Sequence, residues 1–153
     1  MGHLRTGRFA IYEGQHYSHG SVVRFKDDYL YVTRQEAGTV EVGGVTTPAR
    51  HVVDLQHEPV AVWVKVVDGW SKNGNWGGHL QVDCATNKGC WIEGSNRGWA
   101  YAYSSKYGPI SFVDKGDWYE IRQGGIDGAP MTIQDNYLRF VSGAEPSHFN
   151  IRD

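Results

Sequence analysis

Apolar and polar residues alternate in short runs along this chain, and three of those runs are nearly alike. Asp28-Tyr29-Leu30-Tyr31-Val32 returns as Gly78-His79-Leu80-Gln81-Val82 and again as Asn136-Tyr137-Leu138-Arg139-Phe140. A turn and a second apolar alternation follow each run: Val40-Glu41-Val42, Cys90-Trp91-Ile92 and Phe149-Asn150-Ile151. A period of two marks strands with one buried face. Leu30, Leu80 and Leu138 are therefore expected at equivalent positions, with Val40, Cys90 and Phe149 equivalent in the closing strands. A unit that returns three times reads as a threefold arrangement, because one hairpin cannot bury its apolar face alone.

Further strands are expected earlier in each unit, at Phe9-Ala10-Ile11-Tyr12, Val60 to Val67, and Trp118-Tyr119-Glu120-Ile121. Val22-Val23-Arg24-Phe25 and Met131-Thr132-Ile133-Gln134 add a strand just before the first and third runs. There Asp27-Asp28 and Asp135-Asn136 stand where a tight hairpin turn needs left-handed backbone. The middle unit has Ser71-Lys72-Asn73-Gly74-Asn75-Trp76-Gly77-Gly78 instead, which reads as a polar, Gly-rich loop. Connectors lead to expected strands at His51-Val52-Val53-Asp54-Leu55, at Trp99 to Tyr103, and at Ile110 to Val113. The third unit stops at Ile151-Arg152-Asp153 with no room for a fourth strand, so either the N-terminal strand closes the ring or the repeat is less regular than three equal units. No window carries helical periodicity, so any helix is short.

The residues Tyr29-Leu30, His79-Leu80, Tyr137-Leu138 and the closing Phe149-Asn150-Ile151 carry a pattern that resembles a β-trefoil, nearest to the fascin-like type. That resemblance implies one all-β domain over residues 1–153, a closed barrel of three hairpin repeats at roughly 8–58, 59–116 and 117–153. An irregular β-barrel or β-sandwich built from the same hairpins is the alternative. No Gln-x-Trp triplet occurs, so the sugar site of ricin-type trefoils is not carried over.

At 153 residues the chain is one domain with room for a real core, and its β-branched and aromatic excess favours strands. A net charge of -2 gives no electrostatic case for nucleic acid or anionic membrane. No apolar run is long enough for a membrane span, and the N-terminus lacks a signal-peptide core, so a soluble protein is expected. Cys84 and Cys90 flank the turn Ala85 to Gly89, where they either pair as a disulfide or serve as small buried apolar groups.

Catalytic signatures are absent: there is no Gly-x-Ser-x-Gly elbow, phosphate loop, dinucleotide fingerprint or His-Glu-x-x-His. Glu93, Asp114, Asp117 and Glu120 are dispersed carboxylates, so no enzyme and no cofactor are expected. His51, Asp54, His57 and Glu58, with His16 and His19, have ligand chemistry. Residues three apart on a strand face opposite sides, however, and no metal is expected. The aromatics are more informative. Trp63 and Trp118 fit core strands, whereas Trp70, Trp76, Trp91 and Trp99 fall among Gly, Asn and Ser. Aromatic faces on polar loops suit the C–H face of a sugar, with Asn, Asp and His binding its hydroxyls. The candidate site is Trp70, Asn73, Asn75, Trp76, His79, Asp83, Asn96, Arg97, Trp99 and Tyr101. The structural alternative has Trp76 and Trp91 capping the barrel while Trp99, Tyr101 and Tyr103 form one strand face. The expectation is a lectin-like protein that binds glycans. The same aromatics also suit a protein-binding module (inhibitor, immunity protein or toxin component) or a homo-oligomer interface.

Overall fold

The computed structural model describes residues 4–33, 39–42, 45–48 and 61–153. Short alternating runs separated by Gly, Asp and Asn produce short strands. The first five are β1 (Phe9–Glu13), β2 (Arg24–Lys26), β3 (Tyr29–Tyr31), β4 (Thr39–Val42) and β5 (Val45–Pro48). Next come β6 (Trp63–Lys72), β7 (Asn75–Val82), β8 (Trp91–Gly94), β9 (Ala100–Tyr103) and β10 (Ile110–Asp114). The last are β11 (Tyr119–Gln123), β12 (Met131–Gln134), β13 (Tyr137–Phe140) and β14 (Phe149–Arg152). The described helical element is one 3-10 turn, His19–Ser21. Among the described residues, no helix is long and apolar enough to cross a membrane.

Six strands close a barrel in the order β1, β6, β7, β10, β11, β14, with every pairing antiparallel. Of the two alternatives left open by the sequence, the N-terminal strand completes the ring, pairing Ala10 to Glu13 with Arg152 to Phe149. Antiparallel alternation means that β1, β7 and β11 run in one direction. Near their C-terminal ends, the contacts Tyr12↔Val22, Gln81↔Trp91 and Arg122↔Pro130 lead into the hairpins β2–β3, β8–β9 and β12–β13. All three hairpins therefore sit across the same end of the barrel. The pair β4–β5 forms a separate two-stranded sheet.

The hairpins also join one another by matching contacts: Tyr29↔Tyr101, Tyr137↔Tyr31 and Trp99↔Arg139. The backbone N–H groups of Val32, Ala102 and Phe140 donate to the carbonyls of Asn136, Asp28 and Gly98, at 2.8, 2.9 and 2.8 Å. This register corrects the expected alignment. Leu30 and Leu138 do correspond, but their partner in the middle hairpin is Ala100. Leu80 lies on barrel strand β7, because an apolar alternation reads the same in a barrel strand and in a hairpin. Likewise Val40, Cys90 and Phe149 are not equivalent: Val40 is in the separate sheet, Cys90 precedes β8 and Phe149 is in the barrel.

Turn chemistry holds where it was expected. Asp27-Asp28 and Asp135-Asn136 have φ of +52°, +69°, +53° and +69°. Ser71 to Gly78, read as a loop, is instead a hairpin between β6 and β7. Its turn is Asn73-Gly74, with φ of +54° and +82°. Cys84 and Cys90 are free thiols, both half-buried against the core. The strand at His51 to Leu55 and the His51, Asp54, His57 and Glu58 group lie outside the described residues.

The barrel interior explains why Trp76 is not a loop residue. Phe9 faces Val64 across β1–β6, Tyr119 faces Phe149 across β11–β14, and Gly78 faces Ile110 across β7–β10. A Cβ on Gly78 would stand 2.7 Å from Val66 Cγ1 and 2.9 Å from the Val67 carbonyl, so no aromatic fits there. Trp76, two residues earlier on the same strand face, fills the interior instead. Its ring stacks on Phe112 at 4.1 Å and meets Phe9 and Tyr119 edge-on at 5.6 and 5.7 Å. Its indole N–H donates to the Tyr119 hydroxyl at 3.3 Å, which satisfies the one polar group it buries.

Trp76→Ala would leave a large void in this interior and is expected to cost about 3–5 kcal/mol of stability. Gly98, at φ +87°, lies where a Cβ would fall on the Phe140 carbonyl oxygen, so Gly98→Ala is expected to cost at least about 1 kcal/mol through backbone strain. Urea unfolding measures both, and a loss below about 1 kcal/mol for Trp76→Ala would contradict this packing.

Candidate functional site

The structure disperses the residues expected to form one site. Trp76 is fully buried and offers no face to a ligand, which removes the centre of the expected aromatic platform. Trp70, half-buried, lies across the hairpin from Gly77, where a Cβ would come within 3.1 Å of its indole nitrogen. Asn73 is exposed in the turn, and Asn75 is occupied in accepting the Asp114 backbone N–H at 2.9 Å. These four sit where β10 ends. His79 and Asp83 lie elsewhere on β7 and just beyond it. His79 packs edge-on to Trp91 at 6.3 Å, and its Nδ1 is buried without a partner among the described residues. Asn96 and Arg97 are exposed in the turn between β8 and β9, beside Trp99, whose ring lies under the Arg139 guanidinium at 4.7 Å. Of the ten residues, Asn96 and Tyr101 line a common cleft.

That cleft opens where β10 begins, about 13 Å of strand away from the Asn73 turn. Its volume is about 760 Å³. The alternation on β9 builds it: Ala100 points into the core, while Tyr101 and Tyr103 point outward. Tyr29 comes from the first hairpin and Tyr107 from the loop before Gly108-Pro109. The four rings form a continuous row, with centroid separations of 5.8 Å for Tyr29–Tyr101, 5.5 Å for Tyr101–Tyr103 and 5.6 Å for Tyr103–Tyr107. Tyr107 is 71% exposed, an unusual position for so large a ring.

Glu93 lies in the wall of the cleft on β8, opposite Tyr101, and is only 7% exposed. Its carboxylate accepts the backbone N–H groups of Tyr107 and Gly108 at 3.2 and 3.0 Å. It thereby anchors the loop that carries Tyr107. Gln123, from the end of β11, brings its amide against Gly94 at the same wall. Burial holds the Tyr101 hydroxyl above the ordinary tyrosine range, with smaller contributions from Tyr103 and the Glu93 charge. Tyr103 is also raised, first by its hydrogen bond to Tyr107.

A second cleft, of about 1150 Å³, occupies the matching place between β1 and β14. The backbone hydrogen bond Gly14 N–H to the His148 carbonyl, 2.9 Å, matches Gly124 N–H to the Pro109 carbonyl, 2.8 Å. Glu13, His16, Asp135, Glu145 and His148 line it, and no Tyr, Trp or Phe of the described residues does. The two clefts share geometry but differ in chemistry. Sequence reasoning missed Tyr29, Glu93, Tyr107 and Gln123 as partners. The readable signal was Tyr101-x-Tyr103-x-x-x-Tyr107, a run of tyrosines ending at Gly108-Pro109. Comparison with protein-family models, curated proteins and solved structures finds no match to the chain.

Because the folded protein holds the Tyr101 proton more tightly than an unfolded chain, this group favours folding fully below about pH 10. The contribution is lost as pH rises through the folded-state value. A spectrophotometric tyrosinate titration is expected to contain a late component that moves to lower pH in Glu93→Gln. An unchanged late component would contradict the proximity of the two groups.

Proposed function

We propose that the chain is a β-trefoil carbohydrate-binding protein, lectin-like and non-enzymatic, that holds a sugar in the tyrosine cleft. The trefoil reading is supported by a six-stranded ring, three hairpins across one end, and three matched hydrogen bonds joining those hairpins. The observation that carries the functional reading is the row Tyr29, Tyr101, Tyr103 and Tyr107 beside the acceptors Glu93, Asn96 and Gln123. Ring faces cover the C–H surface of a pyranose, and the amide and carboxylate groups orient its hydroxyls. Among the described residues lining the cleft, Glu93 is the single carboxylate, whereas most glycoside hydrolysis uses a pair. That favours binding over bond cleavage. An open cleft of this kind supports monosaccharide affinities near millimolar, roughly -4 kcal/mol, with useful strength coming from multivalent display.

A second reading, a protein-binding module, is favoured by the projecting Tyr107, since exposed Tyr side chains make good interface anchors. Titrating neutral monosaccharides while recording amide NMR shifts separates the two. Shifts confined to residues around Glu93, Tyr101 and Tyr107 are expected, with affinity falling about tenfold in Tyr107→Ala at unchanged stability. Absence of any shift at saturating sugar would remove the carbohydrate reading and leave the protein-binding one.

A further inference from the structure

We propose that the sugar held in the tyrosine cleft is an amino sugar with a free, protonated amine, its ammonium group set between Glu93 and the tyrosine faces. This rests on the carbohydrate reading and names the ligand class within it.

Comparison of the three hairpins carries the argument. Arg24, Glu93 and Thr132 occupy corresponding positions, facing Tyr31, Tyr101 and Arg139 across their hairpins. In the first hairpin, the Arg24 guanidinium lies 5.0 Å and the Lys26 ammonium 4.7 Å from the Tyr31 ring centre. Where the third meets the middle hairpin, Arg139 lies 4.7 Å from the Trp99 ring centre. The protein thus covers these outward rings with its own cations. In the middle hairpin a carboxylate replaces Arg24. Among the described residues, no Lys or Arg lies over Tyr29, Tyr101, Tyr103 or Tyr107.

Glu93 itself makes no ion pair with a described residue. Two backbone N–H groups occupy only part of a carboxylate's acceptor capacity, so it can still receive donors from a ligand. Among the described residues lining the cleft, no Lys, Arg or His offsets its charge. A buried anion beside four electron-rich ring faces is a strong attractor for an ammonium ion. The raised Tyr101 hydroxyl, to which the Glu93 charge contributes, is consistent with a negative field in this space.

The test uses the intact protein at mildly acidic pH, with amide NMR titrations of D-glucosamine, N-acetyl-D-glucosamine, D-glucose and choline chloride. Glucosamine is expected to bind at least about tenfold tighter than either neutral sugar. Glu93→Gln is expected to erase that preference, bringing glucosamine to the affinity of the neutral sugars, while the glutamine oxygen still accepts the loop N–H groups. If that variant does not fold, the wild-type comparison decides alone. Equal affinity for charged and neutral sugars would overturn this inference and leave the carbohydrate reading standing. Binding of choline with no sugar would overturn both, as would binding of no probe.

Discussion

The interior of the barrel is held by an exchange between two neighbouring positions of β7. Where the other two matching strands place Phe9 and Tyr119, β7 has Gly78, and its backbone passes too close to Val66 and Val67 for any side chain. Trp76 supplies the missing volume from one pleat away, stacked on Phe112 and bonded to Tyr119. Interiors of this kind tolerate few voids, because each lost contact forfeits dispersion as well as hydrophobic transfer. Closing the ring depends on it: with the centre filled, all six strands pack against one cluster that also includes Leu30, Ala100 and Leu138 from the hairpins. Those hairpins then share one end and one set of matched contacts.

This packing also decides which aromatics remain for a ligand. Trp76, Phe9, Phe112 and Tyr119 are consumed by the core. Strand alternation on β9 sends Tyr101 and Tyr103 the other way, and the loop tied to Glu93 adds Tyr107. The same residue, Glu93, both positions the loop and charges the cleft. Arginine and lysine lie over Tyr31, Trp91 and Trp99, whereas the row Tyr29, Tyr101, Tyr103 and Tyr107 carries no such cover among the described residues.

Local chemistry was legible in the sequence wherever it depended on few residues. Asp27-Asp28 and Asp135-Asn136 announce left-handed turns because short polar side chains tolerate that backbone. Leu80 misled because x-Leu-x-Val describes a half-buried strand without saying which layer holds it. The true middle hairpin was disguised by Ala100 and Ala102 in place of larger apolar residues, and by the four-residue turn Ser95 to Gly98. Trp76 misled for a different reason. Its flanking Asn and Gly residues look like a loop, yet Asn73-Gly74 is a tight turn, Gly77 is small because the β10 backbone at Ile110 and Ser111 presses on it, and Gly78 because Val66 and the β6 backbone do. Glu93 gave no signal, since one carboxylate in an apolar alternation looks like any solvated strand charge.

The account stands on Trp76 lying at the centre of the barrel, and its indole N–H reports this directly. Hydrogen exchange of the six tryptophan indole protons, followed by NMR, resolves them individually. The Trp76 proton is predicted to exchange slowest, at the rate of global unfolding, with its protection falling in step with stability in urea. Exchange of that proton faster than those of the half-buried Trp70 and Trp99 would contradict the packing and everything built on it.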